Sequence, residues 1–97
     1  MNTRKFRSLL QSAKFRKLLK NNKVRKIAIF GSYARGEQKP GSDIDFLAEF
    51  DPDADLLDQV GLKQDLEKFF GKAIDVITPG SINKYLRNRI SREAVYL

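Results

Sequence analysis

The sequence predicts a small α/β (α+β) domain in which a mixed β-sheet of three to four strands is flanked by helices. Two short apolar runs rich in β-branched residues and one alternating run predict the strands, and segments with apolar residues at helical spacing precede and follow them. A chain of 97 residues has room for one modest hydrophobic core. We therefore expect a single domain over residues 1–97, in which a basic N-terminal helix over 1–22 precedes a core over 24–97.

The first half of the chain predicts a helix, a strand and a polar connection. Apolar residues at helical spacing between Lys and Arg predict one amphipathic helix over Thr3–Lys20. The run Val24–Phe30 (VRKIAIF) predicts a buried strand. Tyr33–Glu37 predicts a short helical turn, and Gln38–Ser42 (QKPGS) predicts a loop.

The second half predicts two more strands, each followed by a helix or leading into one. Asp43–Phe50 (DIDFLAEF) predicts a strand, and the acidic run Asp51–Asp58 predicts the start of a helix that Gly71 ends. Ala73–Ile77 predicts a third strand, and Ser81 predicts the N-cap of a last helix. The first two strands are connected too closely for a crossover and should pair antiparallel, whereas the helix before the third strand allows a parallel crossover.

The composition excludes several kinds of chemistry. The chain has no cysteine and no histidine, so a thiolate zinc site, a cysteine nucleophile and a Ser-His-Asp triad are impossible. No stretch approaches the ~20 apolar residues that span a bilayer, and the first residues lack the apolar region of a signal peptide. We therefore expect a cytoplasmic protein with no membrane partner, whose chemistry depends on carboxylates, hydroxyls, amines, backbone amides and a bound metal.

The net charge of +7 is unevenly distributed. Residues 1–26 contain ten Lys and Arg and no acidic residue, while the remainder has a small excess of acids. Such a basic segment is as typical of a solvated helix face as of a patch that binds nucleic acid or another anion. The aromatic residues Phe15 and Tyr85 and the ending Val95–Leu97 could contact a partner, but we expect them in the core.

Three aspartates form the first half of a candidate site. Asp43 and Asp45 are two positions apart on a predicted strand, so their side chains share one face at ~6.5–7 Å along the backbone. Asp75 lies in the third strand among apolar residues, where a lone carboxylate is costly unless it is paired or binds metal. An Asp-x-Asp alone is usually a pair of solvated strand residues, but the three acids together predict a site for Mg²⁺, with two ions ~3.5–4 Å apart.

Gly31 and Ser32 form the second half. They follow a predicted buried strand directly, where a glycine allows close approach to a phosphate and a serine hydroxyl can bind its oxygens. Arg35 is placed to add positive charge toward those phosphates. A Gly-Ser pair after a strand is by itself usually a turn, and Ser32 is not expected to be a nucleophile because no base accompanies it.

The segment GSYARGEQKPGSDIDFLAEF resembles the signature of the DNA polymerase β-like nucleotidyltransferase superfamily, in which Gly-Ser precedes Asp-x-Asp by about ten residues. The chain is most similar to the minimal nucleotidyltransferase (MNT) proteins, the antitoxins of HEPN–MNT toxin–antitoxin pairs. The likeness extends from about Val24 to Leu97 and includes VGLKQDLEKFFGKAIDVITPGSI and the REAVYL ending. Phe46 stands where leucine is more usual after the second aspartate.

The resemblance implies a polymerase β-like fold and a function for each part of the motif. Gly31 and Ser32 would bind the triphosphate of ATP, Asp43 and Asp45 would hold two magnesium ions, and Asp75 would complete the metal site. The implied reaction is transfer of AMP to a tyrosine hydroxyl of a HEPN toxin, which silences the toxin. The residues from 24 to 97 would then be the catalytic core.

Other functions stay open at this point. The chain could be a non-catalytic antitoxin that inhibits its partner by direct contact, or a nucleic-acid-binding regulator that uses residues 1–26. Transfer to a small molecule is a further alternative, but the chain leaves no room for the additional acceptor-binding domain of such enzymes. The sequence does not identify the preferred nucleoside triphosphate or the oligomeric state.

Overall fold

The computed structural model describes residues 1–97, which form five α-helices and four strands. In chain order these are α1 (Thr3–Leu10), α2 (Ala13–Asn21), β1 (Val24–Phe30), α3 (Gly31–Arg35), β2 (Ile44–Phe50), α4 (Leu56–Phe70), β3 (Ile74–Ile77), a 3-10 turn (Pro79–Ser81), α5 (Lys84–Glu93) and β4 (Val95–Tyr96). The predicted α/β class with a mixed sheet flanked by helices is confirmed.

The sheet has the strand order β3-β2-β1-β4. β1 pairs antiparallel with β2, and β2 pairs parallel with β3, as the lengths of the connections predict. β4 adds two residues antiparallel to β1 at the other edge, and it was not among the elements predicted from the sequence. A two-residue strand has no periodicity of its own, so only its pairing with Ala28 and Ile29 reveals it.

The N-terminal segment is broken into two helices, so the prediction of one helix over Thr3–Lys20 is wrong. Phe6 and Phe15 are nine positions apart, about two and a half helical turns, and one straight helix would direct them to opposite sides. The break lets both enter the same core, where they are 4% and 1% exposed. Ser12 stabilises the new start because its hydroxyl accepts a hydrogen bond from the Phe15 backbone amide at 3.2 Å.

The main core lies between one face of the sheet and helices α1, α2 and α4. It contains twelve buried side chains, among them Phe15, Ile27, Phe46, Leu62 and Leu66. The opposite face has a much smaller cluster, in which Ile90 of α5 packs on Ala28 and Leu47. A single helix therefore covers only part of this second face.

Of the residues that we expected in the core as possible partner contacts, only some are buried. Phe15 is buried as predicted, but Tyr85 is 84% exposed and the ending Val95–Leu97 is also exposed, so the core assignment of those residues is wrong. Tyr85 lies in the first turn of α5 on the helix side turned away from the sheet, and β4 is an edge strand, so neither has a layer above it.

Two helix ends test the capping predictions. Gly71 ends α4 in the left-handed conformation, with φ of 65°, as predicted. Ser81 does not cap α5, because its hydroxyl donates to the Thr78 carbonyl within the 3-10 turn. Asn83 is the N-cap instead, and its side chain accepts a hydrogen bond from the Leu86 amide at 3.0 Å.

None of the helices combines the length and apolar character needed to cross a membrane.

Candidate active site

The Gly31–Ser32 bend lies directly beside Asp45. Phe30, the last residue of β1, pairs with Asp45 of β2, so the chain turns into α3 next to that carboxylate. Gly31 has φ of +73°, a conformation that side chains disfavour. A Cβ at Gly31 would also overlap Oδ2 of Asp45 and lie 3.3 Å from its Cγ. Glycine is therefore required here for its backbone conformation and for the space it leaves.

The three aspartates come from neighbouring backbone positions. Asp45 of β2 and Asp75 of β3 are matched in the parallel register, and Asp43 immediately precedes β2. Asp45 is on the same strand face as Leu47, which packs against α5, so the acids lie on the thinly covered face of the sheet. The fold thus brings together the carboxylates that the sequence singled out.

Asp75 is exposed, which corrects the expectation that apolar neighbours surround it. Ile74 and Val76 point into the main core, whereas Asp75 points to the opposite face of an edge strand, where no helix covers it. The cost of burying a lone carboxylate is therefore no argument for a metal at Asp75. Its proximity to Asp45 is the observation that remains.

The electrostatics of the site centre on Asp45. Partial burial raises the pKa of the Asp45 carboxyl above its ordinary value, the charges of Asp75 and Asp43 raise that pKa further, and Arg35 acts in the opposite direction. Ionised Asp45 is thus held against both desolvation and like-charge repulsion. A bound divalent cation would relieve both.

The residues present suit a hard cation such as Mg²⁺. Carboxylate oxygens are its usual protein ligands, and it takes only one or two of them together with phosphate oxygens. No group of three or more acidic side chains is close enough to form a complete metal-binding cluster from protein atoms. The aspartates therefore fit an ion that is shared with a substrate better than an ion enclosed by the protein.

A cleft of about 510 Å³ joins these features. One wall contains Gly31, Ser32 and Arg35, the floor contains Asp43 and Asp45, and α5 forms the facing wall. Its twelve lining residues are Phe30, Gly31, Ser32, Arg35, Gly41, Ser42, Asp43, Asp45, Leu86, Arg89, Ile90 and Glu93. Five of the six predicted site residues thus line one cleft, and Asp75 lies beside it.

Arg35 lines the cleft in an ion-paired state. Its Nη1 donates to Glu93 at 3.0 Å and its Nε donates to Glu37 at 3.2 Å. These carboxylates raise the pKa of the guanidinium, mainly through the hydrogen bond to Glu37. The predicted phosphate-binding cation is present at the site, with two acidic neighbours that the sequence did not indicate.

The facing wall was missed by sequence reasoning. Leu86, Arg89, Ile90 and Glu93 occupy positions i, i+3, i+4 and i+7 of α5 and form one helical stripe. The signal was available, since two charged residues interrupt an otherwise apolar stripe. Of its two apolar members only Ile90 is buried, and Leu86 is exposed.

A larger cavity of about 720 Å³ lies on the other side of α3, between α1, α2 and β4. It is lined mainly by apolar residues and contains none of the three aspartates. Tyr33 and Ala34 face this cavity, whereas Ser32 and Arg35 face the cleft. The chemistry of the carboxylates therefore places the candidate active site in the smaller cleft.

Comparison with protein families and curated proteins points to one class. The model of the family described as "Nucleotidyltransferase domain" matches residues 12–97. The chain is 56% identical over 68 residues to "Putative protein adenylyltransferase MJ0435" of Methanocaldococcus jannaschii, covering 70% of this chain and 73% of the relative. It is 37% identical over 71 residues to "Protein adenylyltransferase MntA" of Thermococcus cleftensis, covering 73% of this chain and 72% of that protein.

Solved structures agree with the sequence comparisons. A structure described as "Structure of putative minimal nucleotidyltransferase" superposes with a TM-score of 0.86 at 31% identity, covering all of this chain and 97% of the other. A chain of a toxin–antitoxin structure with AMP-PNP matches with a TM-score of 0.70 at 28% identity, over 86% of this chain and 68% of the other.

A third solved structure concerns the partner. A chain from a complex of a tri-AMPylated HEPN toxin of Shewanella oneidensis with an MNT antitoxin matches with a TM-score of 0.61 at 25% identity. The match covers 86% of this chain and 65% of the other. The fold and the arrangement of strands in this chain are thus similar to those of proteins from toxin–antitoxin complexes.

Proposed function

This chain belongs to the nucleotidyltransferase domain family, and we propose that it transfers AMP from ATP to a tyrosine hydroxyl of a HEPN-family toxin in a Mg²⁺-dependent reaction. One observation carries the proposal: Asp43 and Asp45 share a cleft with the Gly31–Ser32 bend, and Asp75 is matched in register with Asp45. Carboxylates for metal and a glycine-serine bend for phosphate are the two halves that nucleotidyl transfer requires.

Each residue of the site has its own role in the proposed reaction. Gly31 and Ser32 would bind the triphosphate through backbone amides and the hydroxyl, Asp43 and Asp45 would hold magnesium, and Asp75 would complete the metal site. When bound, magnesium supplies a Lewis acid that neutralises charge on the phosphates. The acceptor hydroxyl attacks the α-phosphorus in line, a new O–P bond forms, and the bond to pyrophosphate breaks.

The acceptor proton needs a base, and Asp75 is the candidate. The chain has no histidine or cysteine, so carboxylates are the available proton acceptors at neutral pH. Asp43 and Asp45 are assigned to the metal, and Asp75 is exposed on the uncovered face, where an acceptor from another molecule can reach it. Asp75 would take the hydroxyl proton as the O–P bond forms.

The relatives support the nucleotide and the acceptor. Both relatives described above are named protein adenylyltransferases, and one similar toxin–antitoxin structure contains AMP-PNP. Another similar complex contains an AMPylated HEPN toxin. The open face of the sheet beside the cleft favours an acceptor carried by another folded protein. We propose that the chain and this acceptor protein act in the cytoplasm.

Transfer of labelled AMP tests this proposal. The purified chain is incubated with Mg²⁺, α-labelled ATP and the HEPN-type protein encoded beside it, and mass spectrometry locates the added AMP. We expect D45N to lower transfer by at least about a hundredfold, since it removes a charged metal ligand. D53N is the matched control because Asp53 lies beyond the other end of β2, where it pairs with Lys23 at 3.4 Å. Equal transfer by D45N and D53N would refute the metal assignment.

A non-catalytic antitoxin is the second candidate, favoured by the exposed side chains of Tyr85 and Leu86 on α5 and Tyr96 on β4, of which Leu86 lines the cleft. Exposed apolar side chains in one region are typical of protein contact surfaces. This alternative predicts that D45N still neutralises the toxin at equal protein concentration while transferring no AMP. The proposed enzyme predicts that neutralisation and transfer are lost together.

A further inference from the structure

The α5 wall of the cleft contains a cation that no prediction assigned. We propose that Arg89 is a second residue that binds the triphosphate, and that Glu93 is a positioning residue that holds Arg89 and Arg35 in place for it. This inference rests on the nucleotide-binding function proposed above, and it assigns the facing wall of the same cleft.

The charges of the cleft favour a phosphate-binding role for Arg89. Arg35 and Arg89 are the only cations among the twelve lining residues, and they are opposed by Asp43, Asp45 and Glu93. A triphosphate entering this cleft meets a net negative lining, and magnesium at the aspartates compensates only the floor. The two guanidiniums are the positively charged groups of the lining that can attract the phosphates.

Hydrogen bonds show how Glu93 connects the two arginines. Its Oε2 accepts from Arg35 Nη1 at 3.0 Å and its Oε1 accepts from Arg89 Nε at 3.3 Å. The carboxylate thereby bridges α3 and α5 with one oxygen for each guanidinium. Both arginines are held by an acceptor at the rim of the same cleft.

The bridge leaves most of the donors unused. A guanidinium has five N–H donors, of which Arg89 commits one to Glu93 and Arg35 commits one to Glu93 and one to Glu37. The Nη groups of Arg89 remain available for a bidentate contact with phosphate oxygens. Glu93 therefore fixes the orientation of Arg89 without occupying the part of it that recognises phosphate.

Glu93 is suited to this role. Its side chain is only 22% exposed, and although desolvation acts to raise its pKa, the hydrogen bond from Arg89 and the charge of Arg35 hold that pKa below the ordinary value. A charged, half-buried carboxylate between two arginines restrains both side chains. Restraint before binding reduces the entropy lost when the phosphate arrives.

Binding measurements separate a phosphate-binding role from a structural one. Isothermal titration of the full chain with Mg²⁺·AMP-PNP, and separately with AMP, is compared for wild type, R89A, R89K and R92A. Arg92 is the matched control, since it is an exposed arginine of the same helix outside the cleft. We expect R89A to weaken AMP-PNP binding by about ten- to a hundredfold, the effect of losing hydrogen bonds to a charged group, with little change for AMP.

Two further comparisons sharpen the assignment. R89K should fall between wild type and R89A, because lysine keeps the charge and loses the bidentate fork. E93A should weaken AMP-PNP binding as well, and E93Q should restore part of it through its remaining carbonyl acceptor. Tighter AMP-PNP binding by E93A would mean that Glu93 competes with phosphate, and it would overturn the positioning role.

The outcomes distinguish this inference from the proposed function. If wild type binds AMP-PNP and R89A binds it as well as R92A does, Arg89 is only a structural partner of Glu93 and the inference fails alone. Equal losses of AMP and AMP-PNP affinity in R89A would also refute a contact with the outer phosphates. Absence of nucleotide binding by the wild-type chain would refute the proposed function and this inference together.

Discussion

Asp45 is half-buried between two other carboxylates, so its ionisation has a cost that depends on pH. The folded-state pKa lies above the unfolded value of about 3.9, and ionised Asp45 therefore destabilises the metal-free protein at neutral pH. This destabilisation is absent below the unfolded pKa and grows as the pH rises through the folded pKa. Removing the charge at position 45 should therefore raise the free energy of unfolding.

We expect D45N to raise the free energy of unfolding at pH 7 without metal by about 0.2–1 kcal/mol, the range for partly exposed charges. The gain should disappear as the pH falls through about 4, where the wild-type carboxyl is protonated in both states. Urea unfolding at pH 7, 5 and 3.5 in the presence of a chelator measures it. D53N gives up an ion pair instead and should show no gain, and a D45N variant less stable than wild type at pH 7 would contradict the electrostatic account.

Gly31 and Gly36 provide a matched pair for the bend. Both have positive φ, 73° and 70°, but a Cβ at Gly36 meets nothing within 4 Å, whereas one at Gly31 meets the Asp45 carboxylate. We expect G36A to cost about 1–2 kcal/mol from backbone strain alone and to keep AMP transfer. G31A should cost more and abolish transfer, because Asp45 must move. Chemical unfolding and the transfer assay measure both, and an active G31A would show that the position of Asp45 is not critical.

Individual residues differ in how far the sequence reveals them. Gly31, Asp43 and Asp45 were predicted because their spacing on a strand and its turn is local. Arg89 and Glu93 were not predicted, since their place in the site depends on how α5 packs against the sheet, and α5 is fixed there by Ile90 alone among its buried residues. The expectation that Asp75 is surrounded by apolar residues was wrong, because the sequence around it does not show which face of the strand lacks a helix.

Among the secondary-structure elements, those with a strong pattern were predicted. β1 is an apolar run, β2 alternates between its faces and α4 has an apolar stripe, and the bounds of all three lie close to the expected ones. The break between α1 and α2 was missed, because each half keeps helical spacing and only the need to bury both Phe6 and Phe15 on one sheet face requires a turn. The break is therefore set by tertiary packing and not by local helix propensity.

The start of α5 sets the position of the facing wall and can be tested. N83A should cost about 1 kcal/mol of stability by removing the N-cap, and it should reduce AMP transfer because the first turn of α5 carries Leu86. S81A is the control, since Ser81 bonds only within the exposed 3-10 turn and its loss should stay within about 0.5 kcal/mol. Thermal unfolding and the transfer assay compare the stability and activity of the two variants. A larger loss of stability in S81A than in N83A would mean that Ser81, not Asn83, caps α5.

At the scale of the whole molecule, the two faces of the sheet have separate tasks. One face is covered by α1, α2 and α4 and contains nearly all of the buried apolar side chains, so it supplies the stability. The other contains the aspartates and is covered by α5 in part. This division could not be deduced from the sequence alone, because both faces draw on alternating residues of the same strands and the helix that covers each face is set by long-range topology.

The partly covered face has a consequence for the competition between acceptors. Solvent reaches Asp75 as freely as a hydroxyl of another protein would, so water at its bulk concentration is a rival nucleophile for any nucleotide held in the cleft. The enzyme by itself has no layer that keeps this rival out. Under the proposed function, a protein that docks over this face would exclude water as well as supply the accepting hydroxyl, and we expect the isolated chain to hydrolyse bound nucleotide slowly.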